Sequence, residues 1–242
     1  MAEGSIVSRN VTLVAAIILA IGIVVGGYLL GDGLRRARMA DRAVTVRGLA
    51  ERDVTADLAN WTVSFIAQGS ELSAVQTEID RDARTIVEFF RAAGFPADTI
   101  AEAGGSVSQY YDSNRGENSV TINRRIQLRT TDVMRARQVH ARQFDLIRRG
   151  VAIQEGSGMQ YVFTRLNAIK PEMIAQATQD ARSGAERFAN DSGTAVGGIR
   201  TATQGYFSIG PRDGDSVEEG YGGRDSPFQK VRVVTTIEFY LD

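Results

Sequence analysis

The run from Val11 to Leu30, VTLVAAIILAIGIVVGGYLL, contains no charged side chain. At ~1.5 Å rise per residue, a helix of that length crosses the ~30 Å hydrocarbon core of a bilayer. A core helix of a globular domain keeps a polar face, and this run has none. A cleaved leader has a shorter apolar stretch, a basic start and a small-residue cleavage site. Here only Arg9 supplies a basic start, and Gly31 to Gly33 lead into Leu34, Arg35, Arg36, Ala37 and Arg38. The spacing therefore predicts a tail over residues 1–10, a transmembrane helix over 11–30 and a juxtamembrane linker over 31–43. Gly22 and Gly26 have the small-xxx-small spacing that lets two such helices approach. The positive-inside rule, applied to Arg35, Arg36, Arg38 and Arg42, puts the chain beyond the helix in the cytoplasm.

Residues 44–242 are long enough for one domain or two subdomains. Across the chain 43% of residues are hydrophobic and 24% charged, the balance of a folded globular protein. With 28 basic against 29 acidic side chains the net charge is -1, so no global field exists to gather phosphate backbones, and nucleic acid is not an expected partner. The 0 cysteines exclude disulfides, thiolate metal sites and cysteine nucleophiles.

Periodicity sets out the elements. Val44 to Val46 and Val54 to Gln68 read as strands, with Trp61, Val63 and Phe65 alternating against Thr62, Ser64 and Ile66. Leu72, Val75, Ile79, Ala83, Ile86, Val87 and Phe90 recur at helical steps, and Gly94 and Pro96 end that helix. Ile100 to Tyr111 and Val120 to Thr130 form a hairpin around DSNRGENS, with Val120, Ile122, Ile126 and Leu128 on one face. Asp132 caps a second helix whose apolar positions are Val133, Ala136, Val139, Phe144 and Ile147, closed by Gly150. Val151 to Phe163 reads as another strand. Pro171 suits the first turn of a third helix, in which Ile174, Ala177, Ala181, Ala185 and Phe188 run toward Gly193, the alanines suited to close packing on a sheet. A strand near Ile199 to Ile209, a loop from Gly210 to Phe228 and a final strand Lys230 to Leu241 complete the chain. This order predicts an α+β fold, with helices packed on antiparallel or mixed sheets.

Chemistry is sparse. The single histidine, His140, cannot form a zinc pair or a Ser-His-Asp group. Neither Gly104–Gly105 nor EGSGM continues into a phosphate-binding fingerprint, so both read as strand kinks. Asp213, Asp215, Glu218 and Glu219 lack the spacing of a calcium loop. No catalytic, cofactor or metal site is expected. Arg124, Arg125 and Arg129, continued by Arg135, Arg137, Arg142, Arg148 and Arg149, form the densest basic stretch, suited to lipid head groups or an acidic surface. Tyr110 and Tyr111 flank the hairpin turn, where uncovered aromatics are costly, so either an oligomer contact or packing within the monomer is expected to cover them. Tyr110, Tyr111, Arg124, Arg125 and Arg129 are accordingly the candidate interface residues.

Three stretches carry a resemblance: VTVRGLAERDVTADLANWTVSF, then FTRLNAIKPEMIAQATQDARSGAERFAN with its trailing G-x-x-x-G, and the closing KVRVVTTIEFYL. From Val44 to Leu241 the chain resembles the SIMPL-domain family, through packing patterns and not through a catalytic signature. The resemblance implies an α+β fold, a bacterial cell-envelope location, homo-oligomerisation into rings or cages in some members, and no established catalytic activity. It favours export of the domain, against the arginines after the apolar run, and export is the reading adopted. The expectation is then a non-enzymatic protein of the inner (cell) membrane, anchored in lipid by its N-terminal helix, with a periplasmic domain that forms a homo-oligomer. The alternative is a tethered sensor that binds a ligand or an unidentified protein partner through the loop Gly210 to Phe228 and the turn Asp112 to Ser119.

Overall fold

A computed structural model of the protein describes residues 19–33, 42–112, 116–213 and 224–242. Residues 19–33 form helix α1, about 22 Å long at ~1.5 Å per residue, with Leu19, Ile21, Ile23, Val24 and Leu29 exposed. Among the described residues no helix is long and apolar enough to cross a membrane. Residues 11–18 of the predicted span lie outside the described residues.

The rest is a mixed α+β fold with antiparallel sheets, in the order β1 (Ala43–Thr55), β2 (Leu58–Gly69), α2 (Leu72–Ala92), β3 (Ile100–Asp112), β4 (Glu117–Thr130), α3 (Val133–His140), α4 (Phe144–Arg148), β5 (Gly158–Val162), α5 (Leu166–Ser192), β6 (Val196–Gln204), β7 (Ser208–Pro211) and β8 (Phe228–Leu241). One sheet has the order β1-β8-β6, with β7 also pairing β8; the other has the order β3-β4-β2-β5. The chain divides into two compact units. Unit 1 comprises Met1–Leu49, Gln176–Gly205 and Val234–Asp242, and unit 2 comprises Ala50–Ala175 and Tyr206–Val233. Strands β1 and β8 and helix α5 each contribute a segment to both.

In unit 2 the alternation of β2 is realised: Ala59, Trp61, Val63, Phe65 and Ala67 are buried, while Asn60, Thr62, Ser64 and Ile66 face the other way. Helix α2 sets Val75, Ile79, Ala83, Ile86, Phe89 and Phe90 against them. Trp61 meets Phe90 edge-on at 5.0 Å and His140 at 4.9 Å between ring centroids. The end of α2 is a Schellman turn, in which the amide of Phe95 donates to the Phe90 carbonyl and that of Gly94 to the Arg91 carbonyl. That turn needs Gly94 at φ +87, as the glycine there predicts. Asp132 caps α3 as expected, accepting from the Arg135 amide at 3.2 Å.

In unit 1 the alanine stripe of α5 lies on the sheet, with Val46, Ala181, Ala185, Ile237 and Phe239 in one core cluster. Gly48 makes this approach possible, since a Cβ there would lie 1.9 Å from the Ala177 carbonyl oxygen.

Several boundaries differ from the periodicity. The predicted gap between Val46 and Val54 is absent, and β1 runs unbroken from Ala43 to Thr55; the break falls at Ala56 and Asp57. The second helix divides into α3 and α4. The amides of Arg142 and Gln143 bond three residues back, to Val139 and His140, and this tighter winding shifts the apolar phase. Leu146 is buried in consequence, while Phe144 and Ile147, predicted inward, are exposed. Only Gly158–Val162 of the predicted strand Val151 to Phe163 is β5. Helix α5 begins at Leu166, with Pro171 inside it. The Asp57 carboxylate accepts from the Thr164 amide at 2.8 Å, the Thr164 hydroxyl at 3.0 Å and Arg165 Nε at 3.0 Å, anchoring the residues ahead of that start from a distant turn. Phe188 and Leu72, also predicted inward, are exposed, and the strand over Ile199 to Ile209 is two strands, β6 and β7.

Candidate functional site

The hairpin β3–β4 of unit 2 joins an exposed strand, β3, to one whose alternate residues are buried, β4. Its strands pair from Ile100 opposite Leu128 to Asp112 opposite Glu117, with a register shift between Glu102 and Gly105. Gly104, at φ +93, makes this bulge, and a Cβ on Gly105 would lie 2.4 Å from the Asn123 carbonyl oxygen. Strand β4 has β2 on its other side, whereas β3 is the last strand of its sheet. Every residue of β3 from Ala101 to Tyr111 is exposed.

The candidate interface residues separate by strand parity. Tyr110 pairs with Ser119 and Tyr111 with Asn118, so the two rings leave opposite faces, 58% and 62% exposed. Val107, which is not among the candidates that the sequence singles out, is 62% exposed on the same face as Tyr111. Its signal is present in the sequence, an apolar residue alternating with Ser106 and Ser108, but apolarity alone does not say whether another element covers it.

Arg124 shares the inward face of Val120, Ile122, Ile126 and Leu128. Its guanidinium donates to Asp80 of α2 at 2.6 Å and also to Glu102 of β3. Arg125 and Arg129 stand on the opposite face, exposed, across from Ser64 and Asn60. Two of the three arginines thus share a surface, while the third clamps the hairpin to α2.

Two hollows flank the hairpin. On the outer face one of about 230 Å³ is lined by Ser64, Ser106, Asn123, Arg125 and Gln154. The Asn123 Oδ1 there is buried without a hydrogen-bond partner. On the inner face a groove of about 460 Å³ runs beside α2 over Ala83, Val87 and Ile126, with Arg84, Glu88 and Arg91 along it. Among the described residues no three His, Asp or Glu side chains gather as metal ligands.

Burial against Trp61 holds His140 below the ordinary histidine value. Burial pushes the Asp57 carboxyl up, but the hydrogen bonds from Thr164 and the Arg165 charge outweigh it and hold the group below the usual 3.8. Burial raises the Tyr161 phenol, against the nearby charge of Arg137. His140 and Tyr161 belong to packed walls, and Asp57 to a corner ion pair; none of the three lies in a hollow with a nucleophile or a metal-ligand set.

No curated protein matches the chain. The profile of a family described as SIMPL, protein of unknown function (DUF541), matches residues 44–239. The match spans both units and every strand of the two sheets, so the chain belongs to the SIMPL family.

Proposed function

We propose that the protein is a non-enzymatic, membrane-anchored assembly subunit that joins copies of itself into a ring or cage at the bacterial cell envelope. The observation that carries this reading is β3, a 13-residue edge strand with side chains exposed from Ala101 to Tyr111. Such an edge offers a row of unpaired amides and carbonyls, and proteins that remain monomeric blunt it with charge, proline or a covering element. Here the segment beyond the bulge, Ser106 to Tyr111, has neither a charge nor a proline, and Val107, Tyr110 and Tyr111 supply apolar area for a second copy. Gly104 twists the strand once, and eight residues, Gly105 to Asp112, remain beyond it, with the one charge at the last position. The apolar run Val11 to Leu30 supports the anchor, because the outward apolar side chains of α1 suit contact with lipid. The family's envelope habit supports a periplasmic domain on the inner membrane.

Light scattering on the detergent-solubilised full-length chain tests the reading. A discrete particle of many subunits is expected, dissociating when Val107→Lys and Tyr110→Lys place charges on the edge; a monomeric wild type overturns it. A second reading, a sensor for a polar ligand, draws on the outer hollow, where Asn123 Oδ1 lacks a partner. In that case Arg125→Ala abolishes a co-purifying ligand while leaving particle size intact.

A further inference from the structure

Phe144 and Ile147 stand 62% and 49% exposed on α4, three residues apart and hence on one side of the helix, with Arg148 beside them. Around them residues 132–150 carry Arg135, Arg137, Arg142, Arg148 and Arg149 against only Asp132 and Asp145, a local charge of +3 in a chain whose total is -1. Asp145 is shared between Arg142 at 3.4 Å and Arg148 at 2.8 Å, so one positive charge at that point is left over. Arg149 lies over the Phe89 ring at 5.9 Å and Arg137 over Phe228 at 5.5 Å, and both remain exposed. Stacking on a ring leaves a guanidinium its full charge.

Bulky apolar side chains beside a local excess of arginine over acid fit the headgroup boundary of an anionic bilayer, where Phe144 and Ile147 enter the acyl margin and the guanidinium groups meet phosphate. The free β3 edge of a second copy is a poor counterpart, because Ser106 to Tyr111 carries no acidic side chain. We infer that the α3–α4 face docks on the anionic surface of the membrane in which the chain is anchored. The inference rests on the anchor reading: residues 34–41, between the described helix and the first strand, span at most about 30 Å, which keeps the folded part at the bilayer. Docking adds a second lipid contact to the anchor, and it is electrostatic, so it answers to lipid charge and to salt.

The experiment uses the full-length chain in lipid nanodiscs. With 0 native cysteines, Phe144→Cys carries one nitrobenzoxadiazole label, and Thr203→Cys on the exposed strand β6 carries the control label. In discs of equimolar phosphatidylcholine and phosphatidylglycerol the label at 144 is expected to shift to the blue and to be quenched by spin-labelled lipid, while in phosphatidylcholine alone it is not. Arg142→Gln and Arg148→Gln, both at exposed side chains, are each expected to lower the docked fraction about fivefold. Equal emission in the two lipids, indifference to the arginine replacements, an equal response at 203, or a shift that grows with the number of chains per disc each overturns the proposal, the last in favour of a second copy. Failure of the anchor is distinguishable, since the chain then does not float with phosphatidylcholine vesicles at all.

Discussion

Gly48 shows how one atom can decide a packing distance. A Cβ there would meet the Ala177 carbonyl oxygen at 1.9 Å and the Ala181 amide nitrogen at 2.6 Å, both backbone atoms that move only with α5. Gly48→Ala is expected to destabilise by about 3 kcal/mol or more, whereas Gly198→Ala, with nothing within 4 Å, should stay within about 1 kcal/mol. Thermal melts of the two variants check this. His140 and Asp57 set pH dependences of the same sign in different ranges, because the folded pKa of each is lowered. The unfolded histidine takes a proton near 6.5, and the folded one, desolvated beside Trp61, only at lower pH. Between those values the unfolded chain binds the extra proton, so this contribution is fully present above 6.5 and is lost as pH falls through the folded value. Asp57, lowered below 3.8, contributes above that value and is lost only in stronger acid. Melting temperature should therefore fall from about pH 7.5 to about pH 5, and His140→Phe should flatten that slope. The sole tryptophan, Trp61, reports the transition in its own emission.

Among the elements, the hairpin is held by its pairing with β2 and by the core side chains of β4, and one cation adds a tie to α2. Arg124 ties β3 and β4 to α2 through Glu102 and Asp80. Arg124→Ala should cost about 1 kcal/mol, diminishing in high salt, and should speed amide exchange along β3 more than along β2. Sequence alone places an arginine at 124 but not its partners, since Asp80 and Glu102 lie 44 and 22 residues away. The alternation that exposes Arg125 and Arg129 is the same one that turns Arg124 inward, so parity counted from Ile126 predicts the split. The fate of Phe144 and Ile147 is not legible in that way. A strict helical phase from Val133 carries them inward, and the tight turn at Arg142 and Gln143 undoes it.

For the whole molecule, the N-terminal residues and the folded part make separable demands. Removing residues 1–38 is expected to leave a soluble, folded chain that retains its circular dichroism and elutes as a defined species; recovery of aggregate alone would mean that the sheets depend on the removed residues. The cores of the two units draw on residues from Val44 onward, which is the physical ground for that expectation.

The α+β class, the inward stripe of α2, the buried faces of β2, β4 and β8, and the glycine stops at 94 and 150 follow from local chemistry, because period, capping and positive φ are properties of neighbouring residues. Neither the early start of α5, anchored by Asp57 across more than a hundred residues, nor the division of the strand read over Ile199 to Ile209 into β6 and β7 could be read that way. The same holds for the exposure of β3. Exposure and pairing are relations between distant parts of a chain, and they exist only once the sheet order β3-β4-β2-β5 sets β3 at an edge.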